Sequence, residues 1–163
     1  MTKRVAGVIF IKRAFGKKYI LLQHRAYYMS GGNKLALIQG SLDDGESAIQ
    51  AAYRESCEET SIDKFIKFNE FQQVAKRISR GIYNCFIVDV DKLIKYNMAI
   101  RKWNPHPKHQ YVGEMCMKKW KNAHVWVLRD KIKDMVTNDT TLENVKLWHL
   151  TREFLHKYWH KFT

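Results

Sequence analysis

Residues 47–60 limit what this chain can fold into more than any other stretch. Ser47 and Gln50 form the S-x-x-Q of a capping box, which starts a helix, and neither Gly nor Pro interrupts the sequence from there to Thr60. At 100° per residue, Ile49, Ala52, Tyr53 and Ser56 fall along one stripe while Glu55, Glu58 and Glu59 cluster on another. Like charges three and four residues apart cost an isolated helix a few tenths of a kcal/mol each, so the cluster calls for a cation. The plain reading of E-x-x-E-E is a solvated acidic face. A hard divalent ion is the chemical alternative. Magnesium takes a few carboxylates, keeps several waters and binds together with substrate phosphates, which suits an open carboxylate face.

The flanks of this helix decide between the two. Residues 40–62, GSLDDGESAIQAAYRESCEETSI, place Gly40, five residues, Glu46, seven residues, Arg54-Glu55, two residues and Glu58-Glu59 in one register. This spacing resembles the Nudix box. Two positions depart from it: Ser56 stands where an aliphatic residue is usual, and Ser61 replaces the second Gly. The local wording is similar to dihydroneopterin-triphosphate and dATP pyrophosphatases.

The resemblance implies an α/β fold (α+β in some schemes), with a mixed sheet sandwiched between the box helix and a C-terminal helix, in a single domain over residues 1–163. It implies metal ligation by Glu55, Glu58, Glu59 and the backbone carbonyl of Gln39, with Mg2+ as cofactor and Mn2+ as a substitute. Gly40 and Glu46 take structural roles, and Arg54 holds Glu46 or Glu55 in place. Many relatives also place a Glu a few residues before a late strand Trp. Here Trp120, Lys121, Asn122 and His124 occupy that region, and Glu114 lies twelve residues before Trp126. The general base therefore falls to Glu55 or Glu58, or metal activation suffices. Ser61 is expected in a left-handed turn at a cost of about 1 kcal/mol.

At 163 residues the chain can bury about two thirds of its unfolded surface. Cys57, Cys85 and Cys116 are odd in number and lack a CxxC, so neither a disulfide framework nor a zinc knuckle is indicated. His106, His109 and Cys116 match no standard zinc spacing. No apolar run reaches the roughly 18 residues of a membrane span and no signal segment opens the chain, so a cytoplasmic protein without membrane contact is expected. The net charge is +13, yet residues 40–63 carry −6, leaving +19 on the rest. An acidic spot in a basic body attracts polyanions while keeping a local place for a cation.

Along the chain, residues 5–12 (VAGVIFIK) and 19–24 (YILLQH) read as strands around a turn at 15–18. The second strand looks like the Nudix strand that ends in a polar or basic pair, here His24-Arg25, and both side chains could reach phosphates. Residues 35–39 form a short strand leading to Gly40. After the box, residues 65–68, 71–78 and 82–90 read as strands, with a turn at 79–81. Residues 91–121 hold both prolines and no clean period, so they read as an insertion in which Trp103, Tyr111 and Trp120 stack on a base. Residues 125–128 are a late strand, 129–136 a short helix, and 141–162 an amphipathic helix opened by Thr140-x-x-Glu143.

The implied activity is hydrolysis of nucleoside diphosphate-linked compounds, most simply of the (d)NTP type. Two alternatives stand beside it. Eleven Lys or Arg between residues 92 and 133 favour an enzyme acting on RNA 5′ ends. The missing late Glu and Ser61 favour a catalytically silent binding module. The oligomeric state is open.

Overall fold

The apolar opening run becomes strand β1, Val5–Ala14, buried from Ala6 to Ile11. Burial on both pleat faces explains why the run is continuous rather than alternating. The computed structural model describes residues 3–25, 32–103, 105, 123–142 and 144–161. Their contacts divide into two units: Met1–Arg13 with Ile38–Pro105, and Ala14–Leu37 with His106–Thr163.

In the first unit β1 pairs antiparallel with β4 (Ile38–Ser41) and parallel with β6 (Tyr83–Asp89), and β6 pairs antiparallel with β5 (Lys76–Arg77). The sheet is mixed, as expected. Register sets Val5 opposite both Ser41 and Tyr83, and Ile11 opposite Asp89. Helix α1, Ala48–Thr60, packs on β4 and β6. Its capping box is formed: Gln50 N donates to Ser47 Oγ at 3.2 Å and Ser47 N to Gln50 Oε1 at 2.9 Å. Ser56 is fully buried on the packed face, where its hydroxyl donates to the Ala52 carbonyl at 2.7 Å. That bond is how a serine occupies an apolar stripe. At the far end Ser61 takes the left-handed conformation (φ 57°, ψ 29°), as its place in the box implied.

Of the strands expected over 65–68 and 71–78, only β5 at Lys76–Arg77 is a strand. Phe68–Val74 is a helix, α2, whose first turn is held by Lys67 N donating to Glu70 Oε1 at 2.9 Å. Phe71 is fully buried, and the Tyr53 ring packs edge-on against Phe68 and Phe71. Packing against α1 overrides the strand propensity of the aromatics. Residues 91–103 are likewise not an open loop. They hold helix α3, Val90–Leu93, and a 3-10 turn, Met98–Lys102.

In the second unit β2 (Lys17–His24) pairs antiparallel with β3 (Leu35–Ala36) and with β7 (Ala123–Leu128). Helix α4, Arg129–Asn138, follows β7, and α5 covers only His149–Tyr158. The expected early start at residue 141 is not seen, because residues 142 and 145–148 are tied down in other ways. Leu142 and Val145 bridge each other, and Leu35 N donates to the Lys146 carbonyl while Trp148 N donates to the Leu35 carbonyl. Glu143 lies outside the described residues. Among the described residues no helix is long and apolar enough to cross a membrane.

Candidate active site

The site is built where β4 delivers Gly40 and Ser41 beside the middle of α1, at Arg54 and Glu55. Arg54 is its centre. Its Nε donates to Glu46 Oε2 at 2.8 Å and its Nη2 to Glu46 Oε1 at 3.0 Å, a two-pronged pair. Nη2 also donates to the Ser41 carbonyl at 2.9 Å. Nη1 donates to Glu55 Oε1 at 2.8 Å and to Glu58 Oε1 at 3.2 Å. One guanidinium thus ties the loop at 41–46 to two successive turns of α1. Glu46 Oε1 accepts in turn from Asp43 N at 2.9 Å, closing the loop on itself.

Burial separates the carboxylates. The Glu46 and Glu55 side chains are 13% exposed and Glu58 is 54% exposed. Hydrogen bonds from Arg54 hold the Glu46 carboxyl below its ordinary range, whereas burial pushes Glu55 up. The same partners, led by Glu46, raise Arg54 further above its already high value.

Gly40 has a steric reason to be glycine. A Cβ there would lie 2.0 Å from Glu55 Oε1 and 2.1 Å from its Cδ, so the carboxylate occupies the space a side chain would take. Gln39, one residue earlier, is half-buried, and its Oε1 accepts from Tyr83 Oη at 2.9 Å. Tyr83 in turn lies over Gly7, where an added Cβ would sit 2.3 Å from the phenol oxygen. Burial raises the Tyr83 pKa well above the ordinary phenol range, so it donates as a neutral group. Nothing in the sequence reading picked out Tyr83. The available signal was Gly7, an isolated glycine in a strand, which marks close approach of another group.

The structure therefore gathers Gly40, Glu46, Arg54, Glu55 and Glu58, with Gln39 adjoining and Glu59 half-buried on the next position of the helix. Two expectations are corrected. Trp103 is 4% exposed, its Nε1 donates to the Thr60 carbonyl at 3.1 Å, and its ring meets Phe10 edge-on at 5.1 Å. It is core beneath the end of α1, so it has no face to offer a base. His24 is 0% exposed in the second unit, with Nε2 3.4 Å from Asn33 Oδ1, and burial lowers its pKa. A buried neutral imidazole does not contact phosphate. Arg25, half-buried in that unit, stacks its guanidinium 4.9 Å from the Trp148 ring centroid. Tyr111 and Trp120 lie outside the described residues.

Among the described residues no three His, Cys, Asp or Glu side chains converge as a ready metal cage. Glu55 and Glu58 nevertheless bring hard oxygen donors to a single cationic nitrogen, Arg54 Nη1. A magnesium ion needs one or two carboxylates and takes its remaining ligands from water and phosphate, so this donor set fits it.

Comparison with family models matches residues 1–161 to the NUDIX domain. The chain belongs to the Nudix family. Membership carries pyrophosphohydrolase activity on phosphoric anhydrides. Comparison with curated proteins gives no match. Solved Nudix structures share the fold at low identity. RenU, a Nudix hydrolase from M. smegmatis, is 18% identical over 99% of this chain and 88% of its own, with a TM-score of 0.55. A mutT/nudix family protein from Listeria innocua is 17% identical over 98% and 92%, with a TM-score of 0.53. The NUDIX domain of Shewanella oneidensis NrtR, complexed with ADP ribose, is 11% identical over 100% and 90%, with a TM-score of 0.58.

Proposed function

We propose that this Nudix protein is a magnesium-dependent hydrolase of nucleoside diphosphate-linked compounds, with a (d)NTP-type nucleotide as substrate and Mn2+ as a substitute ion. The observation that carries the reading is the Arg54 network, which gathers Glu46, Glu55 and Glu58 on one guanidinium, with the Glu55 carboxylate against Gly40. Glu55, Glu58 and Glu59, with the Gln39 carbonyl, would hold the cation. When bound, such an ion neutralises phosphate charge and makes a coordinated water more acidic.

The chain's own residues divide the remaining work. Glu46, kept ionised by Arg54, fixes the guanidinium; the guanidinium fixes the Glu55 carboxylate. Glu55, positioned by the Arg54 hydrogen bond, is the proton acceptor for the attacking water. Phosphates are drawn to the same end of β1 by a cationic group: Arg4, whose carbonyl accepts from Leu42 N at 3.0 Å, and Arg77 and Arg80 beyond it. Arg4 and Arg77 are aimed by Asn84, whose Oδ1 accepts from both. The ADP ribose held by the NrtR domain supports a nucleoside diphosphate as the recognised unit.

The test is a substrate panel in magnesium: (d)NTPs, dinucleoside polyphosphates, NDP-sugars and triphosphorylated or capped RNA. A (d)NTP is expected to give the highest kcat/KM, and Glu58→Gln to lower turnover about 100-fold with an unchanged fold. Turnover at wild-type rates in Glu58→Gln would remove the carboxylate assignment. Preference for RNA ends would remove the nucleotide.

A further inference from the structure

The sequence places much of its positive charge after the box, and the first unit gives part of that charge a cavity. Gln73 at the end of α2, Asp91 and Lys92 in α3, and Lys95 and Arg101 beyond it line a hollow of about 520 Å³. Pockets that hold small molecules span roughly 300–1,000 Å³. Its carboxylate among these residues is already engaged. Asp91 Oδ2 accepts from Arg13 N at 3.1 Å and from Arg13 Nη1 at 3.3 Å, and the same Nη1 donates to Asp89 Oδ2 at 3.0 Å. Lys92 and Arg101 have neither an ion pair nor a side-chain hydrogen bond among the described residues. Lys95 rests its ammonium 5.0 Å from the Tyr96 ring centroid, and the Tyr96 hydroxyl donates to Gln73 Oε1 at 2.5 Å.

Three cations thus ring one hollow whose acid is neutralised from outside it. Such a grouping repels itself until an anion enters, and a concave wall strengthens its field relative to a flat surface. The hollow and the box lie at different registers of β1. The strand register sets Ser41 opposite Val5 and Asp89 opposite Ile11, six residues along β1, which is about 20 Å. No residue is shared between the two places.

We propose that this cavity is a binding site for a polyphosphate chain, either inorganic or carried by a nucleotide, separate from the hydrolytic site. Lys92 and Arg101 bind successive phosphates, Lys95 adds a third positive contact, and Arg13 keeps Asp91 from opposing them. The proposal stands whether or not the preferred substrate is a (d)NTP.

The test is calorimetric titration of the whole chain with inorganic tripolyphosphate and, separately, with the β,γ-methylene analogue of ATP. Both are run in EDTA, so that carboxylates without a cation repel the anion at the box. Lys92→Ala/Arg101→Ala is expected to weaken tripolyphosphate at least tenfold. Lys17→Ala/Lys64→Ala removes the same charge from exposed positions elsewhere and is expected to change affinity less than twofold. Equal losses for both ligands assign the phosphate chain itself; tighter binding of the analogue, lost in the same variant, assigns a nucleotide source. Lys92→Gln/Arg101→Gln repeats the measurement should the alanine variant fail to fold. Equal affinity in wild type and variant, or no binding at millimolar ligand, overturns the site. Sensitivity of single-stranded RNA alone to these substitutions overturns it in favour of a nucleic-acid face.

Discussion

Replacing Gly40 by alanine tests whether Glu55 is held in place by Arg54 or merely rests there. The backbone accepts the change, since Gly40 is not among the positive-φ glycines. The obstacle is the Glu55 carboxylate, 2.0 Å from the new methyl position. Ordinary contact needs about 3.4 Å, so the carboxylate must move about 1.4 Å. A shift of that size directed away from Arg54 stretches the 2.8 Å bond from its Nη1 to about 4.2 Å, beyond ion-pair range. A hydrogen bond to a charged group contributes about 1.5–3 kcal/mol, and a displaced Glu55 recovers part of this from water, leaving an expected loss of about 1–2 kcal/mol. Urea unfolding followed by tryptophan fluorescence reads it, and activity should fall with it, because the displaced group is the proposed proton acceptor. The decisive arm is the Glu55→Ala background, where the clash partner is gone and Gly40→Ala should cost under about 0.5 kcal/mol. Equal costs in both backgrounds would refute the reasoning.

Two further outcomes follow from the same structure. Ser61→Gly removes the strain of a left-handed serine with no side-chain capping bond, so its urea midpoint should rise by the equivalent of about 1 kcal/mol; a fall would show that the turn needs its Cβ. Glu46 sits below its ordinary pKa when folded, so its stabilisation is complete above that ordinary value and is lost as pH falls through the depressed one. Glu55, raised by burial, works in the opposite sense: its contribution is complete below its ordinary value and is lost as pH rises through the raised one. Glu46→Gln should therefore lose less melting temperature than wild type between about pH 6 and about pH 3. A steeper acid loss in the variant would contradict the Arg54–Glu46 assignment.

What the sequence made legible was written in short-range chemistry. The capping box at Ser47, the face shared by Glu55 and Glu58, the pairing of Arg54 and the left-handed Ser61 all depend on residues within about twenty positions of one another. What it hid depends on partners far along the chain. FNEFQQV carries as many strand formers as helix formers, and the Lys67–Glu70 bond together with packing of Phe68 and Phe71 on Tyr53 decides for the helix. Trp103 looks like a loop aromatic until Phe10 and the Thr60 carbonyl receive it. His24 looks like an exposed strand end until its burial is known. The Tyr83 contact to Gln39 spans 44 residues, with only Gly7 to hint at it.

The same division has a kinetic side. Arg54 reaches its partners across 1, 4, 8 and 13 residues, so joining them closes only small loops, whereas Tyr83–Gln39 and Trp103–Thr60 close loops of 44 and 43. Closure entropy grows with loop length, and local contacts form soonest. The carboxylate cluster should then organise before the sheet edge and the tryptophan that later seal it. Stopped-flow refolding separates the two stages: Arg54→Lys should chiefly slow folding, and Trp103→Phe should chiefly hasten unfolding. The reverse order would place the hydrolytic centre among the last parts to assemble.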